Sequence, residues 1–527
     1  MCRRFDPAPN HFQSEALLSG AGLFFLHLIR KRLTSNSICF RFLRPVKYVL
    51  WISLLIASSP FHLWAQFSYG VASGDPQSES VVIWTALEGI EREESVIWEV
   101  ATDIDFQHIL ISGSCTTSPA QGGTVKAIPR GLESSTTYYY RFWWREIASD
   151  IGRTKTSPHP LSTQAIRLGV VSCAHYEAGY FHGYAALAGE EQVDAVVHLG
   201  DYIYEYERWD ARWKVPGRLH QPPHEIVTLQ DYRTRYAQYR KDPDLQAFHA
   251  AHPVIAIWDD HEIANNSFST GAQNHQEEEG NYEVRRIAAM KAYEEWMPIR
   301  PEYSKGYRKF RFGAMLDLYM IETRLDGRSK AVSQEADRFL PASEHHMMSP
   351  EQHEWLETEL SQSAAAYRVI GNQVIFSELN LGIIPSDRLE RFNLDAWDGY
   401  ADERNSLEQT FKQTAPIVVL TGDSHCSWAF EGPGYVELCT PSITSTNFNE
   451  FTSEALARFA GFLLWLSNRN LEYVDTRNHG YLMVDFDALG AQSEWIYVDD
   501  IKLGGPWRIH KRRKRTIHAW QKNMMRR

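Results

Sequence analysis

Short apolar runs that break off in acidic, sulfur or imidazole side chains recur along this chain. Val170-Val171 leads into Ser172-Cys173-Ala174-His175, and Val196-Val197-His198-Leu199 into Gly200-Asp201-Tyr202-Ile203-Tyr204. Ile255-Ala256-Ile257-Trp258 is followed by Asp259-Asp260-His261-Glu262, and Val418-Val419-Leu420 by Thr421-Gly422-Asp423-Ser424-His425. Runs of this kind predict buried strands. In open α/β sheets, ligands bind beyond the carboxyl ends of the strands. Four strands ending in this way place candidate metal ligands along one edge, the arrangement of a multi-metal hydrolase.

The pattern upstream is different. Residues 67–162 read as all-β, with Val81-Val82-Ile83-Trp84-Thr85, Ser95-Val96-Ile97-Trp98 and Thr137-Tyr138-Tyr139-Tyr140 separated by Gly, Ser and Pro turns. Leu132 and Tyr138 have the spacing of a tyrosine corner, which predicts a fibronectin-like sandwich. A Pro-containing linker at 155–162 leads into a layered α/β region over 163–505. Helical periodicity marks 232–241, 281–296 and 349–365, the last opening at Ser349-Pro350-Glu351-Gln352 with the signals of an N-cap. An amphipathic helix over 452–470 carries Phe462, Leu463, Leu464, Trp465 and Leu466. Packing against the core is the favoured reading, with a lid or a membrane-touching element as alternatives. Residues 506–527 include His510-Lys511-Arg512-Arg513-Lys514-Arg515 and read as a solvated basic tail.

Composition narrows the class. A chain of 527 residues, 43% hydrophobic, can bury a large core in more than one domain. Residues 1–66 hold eight Lys or Arg and two acidic residues, so the net −12 of the whole chain becomes −18 over the remainder. That balance argues against a stable nucleic-acid partner. Six cysteines are too few for a disulfide framework, and burial is favoured over pairing for Cys426 and Cys439. Lys47 precedes an apolar stretch at 48–58, and Leu63-Trp64-Ala65 resembles a cleavage site. The stretch is shorter than the roughly 20 residues a spanning helix needs, so a signal peptide is expected and the protein reads as periplasmic or secreted. Residues 1–42 read as an upstream extension, with a retained anchor at the cell surface as the alternative.

Taken in order, the motifs resemble a known family. Gly200-Asp201-Tyr202-Ile203-Tyr204, Trp258-Asp259-Asp260-His261-Glu262 and Thr421-Gly422-Asp423-Ser424-His425 follow the calcineurin-like metallophosphoesterase pattern. With Tyr69-Gly70-Val71-Ala72-Ser73-Gly74-Asp75-Pro76, Ser172-Cys173 and Tyr176-Glu177-Ala178-Gly179-Tyr180-Phe181, the chain resembles the alkaline phosphatase D (PhoD-like) family over residues 67–500. The resemblance implies a calcineurin-like layered α/β/β core preceded by a small fibronectin-like β-sandwich. It also implies a hydrolase acting on phosphate mono- or diesters by attack of a metal-bound hydroxide, with Fe3+ and Ca2+ as cofactors.

The residue types fit that chemistry. Two cations clamp a phosphate and lower the pKa of bound water. One Cys, one Tyr, one Asp and one His are unlike a structural zinc set. Cys173, Asp201, Tyr204 and His425 suit ferric iron, the ion the resemblance implies, with Asp201 able to bridge. Asp201, Asp260 and Asp423 offer only oxygen, with a carbonyl from Asn265 or Asn266, and so favour Ca2+, Mg2+ or Mn2+. His175 and Gln373 fall where the wider superfamily has ligands; both stay open here. His261 is the candidate for touching phosphate or protonating the leaving group. Arg324 either binds a phosphate oxygen bidentately or forms a buried ion pair with Glu322 or Asp326. Residues 209–216 are a candidate pocket lining.

The expected partner is a small-molecule or polymeric phosphate ester, met by a monomer near a membrane or cell-wall surface. The alternatives are a purple-acid-type phosphomonoesterase, or a cell-surface binding protein whose hydrolase domain is inert.

Overall fold

Two β-sheets face each other across the middle of the molecule in a computed structural model that describes residues 67–208, 214–301, 305–382, 391–414 and 416–517. The expected signal segment at 48–58, the upstream extension and most of the 209–216 stretch lie outside the described residues.

The larger sheet has nine strands. At its centre Ile166–Val171, Ala195–His198 and Pro253–Ala256 run parallel. The smaller sheet has seven, with Leu316–Met320, Tyr367–Asn372, Ile417–Thr421 and Tyr435–Cys439 parallel at its centre. The apolar runs of the sequence are these strands. Leu168, Val170, Val197, Ile255, Leu318, Val369, Val418 and Leu420 interdigitate between the sheets and are buried. Burial of such side chains is worth about 1.5–3 kcal/mol each before the cost in chain entropy.

Helices cover both outer faces. His182–Ala188, Leu229–Arg240, Pro243–Ala251 and Tyr282–Trp296 pack on the larger sheet, and Pro350–Gln362 and Ala401–Thr414 on the smaller. The predicted start at Ser349 is real: its Oγ accepts from the Gln352 N–H at 3.1 Å.

The sandwich predicted over 67–162 has one sheet of its own, built from Glu94–Ala101, Ile109–Thr117, Thr137–Trp144, Ile147–Ala148 and Gly152–Lys155. Its other sheet is the continuation of the nine-stranded one. Val71–Gln77 pairs parallel with Pro253–Ala256 and antiparallel with Ser80–Ala86, which pairs in turn with Thr124–Ala127. Val71, Val81, Ile83, Val96, Val100 and Phe142 fill the space between. The tyrosine corner forms as the spacing predicts, with Tyr138 Oη accepting from the Glu133 N–H at 2.8 Å.

Two sequence readings change. Ile509–Ile517, read as solvated tail, is instead the edge strand of the nine-stranded sheet, paired antiparallel with Gly490–Val498. Its cations are matched by acidic neighbours: Arg512 meets Glu190 at 3.2 Å, Arg515 meets Glu472 at 3.3 Å, and Lys511 meets Asp475. A charged edge of this kind also discourages pairing with other chains. The helix Glu454–Ser467 packs on the core only through Ala457, Gly461 and Leu464, and its larger apolar side chains face outward. Cys115, Cys173, Cys426 and Cys439 are all free, so Cys426 and Cys439 do not pair.

Candidate metal centre

The strand ends deliver their side chains through strained backbone. Cys173, Asp201, Asp423 and His425 have φ of 62°, 54°, 55° and 62°. Non-glycine residues rarely adopt this left-handed region, at a cost of order 1 kcal/mol each, and such residues cluster at functional sites. Gly200 makes the turn into Asp201 at φ 96°, where a Cβ would lie 2.3 Å from the Cβ of Asp259. Only glycine lets the two acidic turns come this close.

Three groups of ligand atoms result, in each of which the atoms lie within 4.8 Å of one another: Cys173, Asp201 and His425; Asp201, Asp260 and His261; and Asp259, Asp260 and Asp423. Tyr204 Oη joins the first group, 3.0 Å from Asp201 Oδ2 and 3.5 Å from His425 Nε2. Ser445 Oγ donates to Tyr204 Oη at 2.6 Å. His425 Nδ1 lies 3.0 Å from the Thr446 carbonyl, a bond that leaves Nε2 as its acceptor nitrogen.

The electrostatics of the cluster show a shortage of positive charge. Burial, then the carboxylates of Asp259 and Asp260, push Asp201 well above the usual carboxylate range, against the pull of His261. Burial also raises Asp423, raises Cys173 well above an ordinary thiol with Asp201 adding to it, and lowers His425 to about 3. For His261, burial alone would lower the imidazole, but Asp201, Asp260 and Glu205 outweigh it and hold it well above its ordinary value. Asp201 Oδ1, Asp259 Oδ2 and His261 Nε2 are buried without hydrogen-bond partners among the described residues. Buried polar atoms are normally satisfied. Orphaned carboxylate oxygens beside a thiol, a phenol and an imidazole fit a cation-binding cradle.

Each expected residue can be placed. Cys173, Asp201, Tyr204 and His425 come together, as do Asp201, Asp260 and His261. Asn265 is near: its N–H donates to Glu205 at 2.7 Å and its amide to Gln273 at 2.6 Å, while the Asn266 N–H donates to Asp260 at 2.5 Å. His175 lies outside the three groups, its ring 4.6 Å from that of Tyr204. Gln373 is spent on the protein, donating to the Trp258 and Ile321 carbonyls and accepting from Thr323 at 2.7 Å.

Arg324 is fully buried among carboxylates. It pairs with Asp259, meets Asp395 at 2.7 Å, and holds Nη2 3.6 Å from both Asp260 and Asp423. The ion pair expected with Glu322 or Asp326 does not form. Glu322 accepts instead from the backbone of Arg324 and Leu325 and from Trp258 Nε1.

The sequence reading passed over several supporting groups. Glu262 accepts from the N–H groups of Asp201 at 3.0 Å, Tyr202 at 2.5 Å and Asp259 at 2.8 Å, tying the two acidic turns together. Glu205 meets His261 Nδ1 at 2.7 Å. Both sit inside the motifs, so their presence was visible; which atoms they brace was not. Asp395 and Ser445 lie in segments with no signal.

The site falls within matches to known families. Residues 168–495 match the family model described as PhoD-like phosphatase, and residues 59–158 match its N-terminal domain. Alkaline phosphatase D of Bacillus subtilis (strain 168) is 37% identical over 386 residues, covering 69% of this chain and 65% of that protein's length. Among solved structures, one titled "Structure of PhoD" superimposes with a TM-score of 0.76 at 29% identity, covering 87% of this chain and 93% of that one. The purple acid phosphatase PPD1 from yellow lupin seeds shares the fold at a TM-score of 0.53 and 11% identity, covering 85% and 73%. The strand ends that carry the candidate ligands lie inside the larger match, and the chain belongs to the PhoD-like phosphatase family.

Proposed function

We propose that this protein is an exported, metal-dependent phosphoesterase that hydrolyses phosphate mono- or diesters. The observation that carries this reading is Asp201, whose carboxylate belongs to two adjoining ligand groups of different character. Cys173, Asp201, Tyr204 and His425 would hold Fe3+. Asp201, Asp260 and Asp423, with Asn265, would hold Ca2+, or Mg2+ or Mn2+ in its place. Bound cations supply neutralisation of the phosphoryl oxygens and a water of lowered pKa.

The chain's own residues do the rest. Glu205 orients the His261 ring through Nδ1 and, with Asp201 and Asp260, favours the doubly protonated imidazolium, whose Nε2 proton would pass to the leaving ester oxygen as the P–O bond breaks. The water oxygen forms the new P–O bond, and the proton it loses passes to solvent. Glu262 and Gly200 keep the acidic turns in contact, and Arg324 offsets the charge of the Asp259–Asp260–Asp423 group. Export rests on the basic-then-apolar pattern at 47–58; among the described residues no helix is long and apolar enough to cross a membrane.

Metal analysis and visible absorption of the purified protein, with turnover of bis-p-nitrophenyl and p-nitrophenyl phosphate, test the reading. Iron with a second hard cation, a charge-transfer band and turnover abolished in Asp201→Ala are expected. The ratio of the two rates assigns diester or monoester preference. Folded protein without turnover after metal reconstitution overturns the proposal and leaves a surface-binding role.

A further inference from the structure

The helix Glu454–Ser467 presents an unusual surface. Leu456, Phe459, Phe462, Trp465 and Leu466 are 59%, 57%, 53%, 49% and 65% exposed. Five large apolar side chains on one helix of 14 residues are far from the scattered single hydrophobics of an ordinary soluble surface. Contiguous patches of this kind mark a site of contact with something else.

Its length decides how it would meet a bilayer. Fourteen residues rise about 21 Å, short of the roughly 30 Å hydrocarbon core. Such a helix lies in the interface, with its apolar face in the acyl boundary and cations at headgroup level.

The cations are in place. The helix packs on the strand Leu471–Asp475, and Arg458, Phe462, Trp465, Tyr473 and Arg477 line a groove of about 280 Å³ between them. The basic edge strand Ile509–Ile517 joins the same strand through Lys511–Asp475 and Arg515–Glu472, with Arg513 lying 5.7 Å from the Tyr473 ring. The carboxylates of the patch, Glu454, Glu472 and Asp475, are each paired with Arg477, Arg515 or Lys511. Arg469 and Arg513 are exposed and have no ion pair among the described residues, and Arg458, which meets Glu454 at 3.5 Å and shares it with Arg477, has a 71% exposed side chain. The charge left over around the apolar face is positive, although the whole chain is acidic.

We propose that the helix Glu454–Ser467, with the cations beside it, docks this protein on a bilayer containing anionic phospholipids. The docking helix follows directly on the loop that holds the metal centre, since Thr446 bonds to His425 only eight residues before Glu454. The inference goes beyond the phosphoesterase reading and does not depend on it, because binding is measured without turnover.

Sedimentation of the full chain with vesicles of phosphatidylglycerol and phosphatidylcholine, against phosphatidylcholine alone, tests the proposal. Any contribution of residues 48–58 is common to all variants, so differences between variants are the readout. Wild type is expected to bind the anionic vesicles at least tenfold more tightly than Phe459→Ser/Phe462→Ser/Trp465→Ser, and more tightly than neutral vesicles. These positions are exposed, and an unchanged thermal midpoint verifies folding. Arg469→Glu/Arg513→Glu, which keeps the apolar face, is expected to weaken anionic binding severalfold and flatten its salt dependence. Equal binding by wild type and both variants overturns the proposal. So does a dimer in sedimentation velocity that the triple variant dissolves, because a second copy then covers the face.

Discussion

Glu205 Oε2 lies 2.7 Å from His261 Nδ1, and neither side chain reaches solvent. The carboxylate sets both the ring's orientation and part of the charge that keeps its proton on. Glu205→Gln retains the shape and removes the charge. We expect kcat to fall roughly 10²-fold with little change in KM, and the pH–rate profile to shift. A rise in KM alone would assign the pair to substrate binding.

Arg324 is the counter-charge of four buried carboxylates. Removing one member of a buried ionic set strands the others and costs about 3–5 kcal/mol. Arg324→Met is therefore expected to lose stability of that order in urea denaturation with chelator present and no substrate. Unchanged stability with a raised KM would instead make Arg324 a phosphate-contacting residue.

The two proposed cation sets differ in their donors and are expected to respond differently to depletion. A chelator of hard cations is expected to lower turnover at least roughly 10²-fold, with recovery on adding Ca2+ and little loss of visible absorption. Cys173→Ser is expected to alter that absorption directly, because it replaces the sulfur donor. A spectrum indifferent to Cys173 removes it from the iron set.

Glu450 supplies a pH dependence outside the three candidate ligand groups. Burial would raise it, but His479 at 3.2 Å and Lys502 at 2.7 Å outweigh burial and bring it to about 2. With an unfolded value near 4.3, its contribution is present above about pH 4.3 and is lost as pH falls through 2. Glu450→Gln is expected to cost on the order of 3 kcal/mol at pH 7, and about half that at pH 3, in denaturant titrations. A difference constant with pH would show that charge at Glu450 is not the source.

Much of the candidate site was legible because its candidate ligands follow strands directly: Asp201 and Asp423 each come after an apolar run and a glycine, a pattern read without knowing the fold. The helix start at Ser349 and the corner at Tyr138 were legible for a similar reason, as each depends on residues close in sequence. Arg324 was harder. Its partners Asp259 and Asp395 are 65 and 71 residues away, and local spacing pointed to Glu322 and Asp326 instead. The edge strand Ile509–Ile517 was hidden by composition, since six consecutive charged or imidazole side chains read as solvated until acidic residues of neighbouring strands are known. The helix Glu454–Ser467 was legible as a helix, but its periodicity predicts a buried apolar face, and only the structure shows which face is covered.

The ladder between Val71–Gln77 and Pro253–Ala256 has a consequence for how this chain can be cut. The N-terminal segment and the segment bearing the candidate metal centre match separate domain models of one family, which invites treating them as interchangeable modules. Here one supplies a strand to the other, and Asp75 reaches across to the Arg300 N–H at 2.8 Å and to Arg308 at 3.3 Å. A fragment beginning after residue 162 would leave a raw sheet edge on the strand that leads to Asp260 and His261. Cutting the chain at the boundary between the two matches would therefore break a continuous sheet, so the two segments are expected to fold together and not apart.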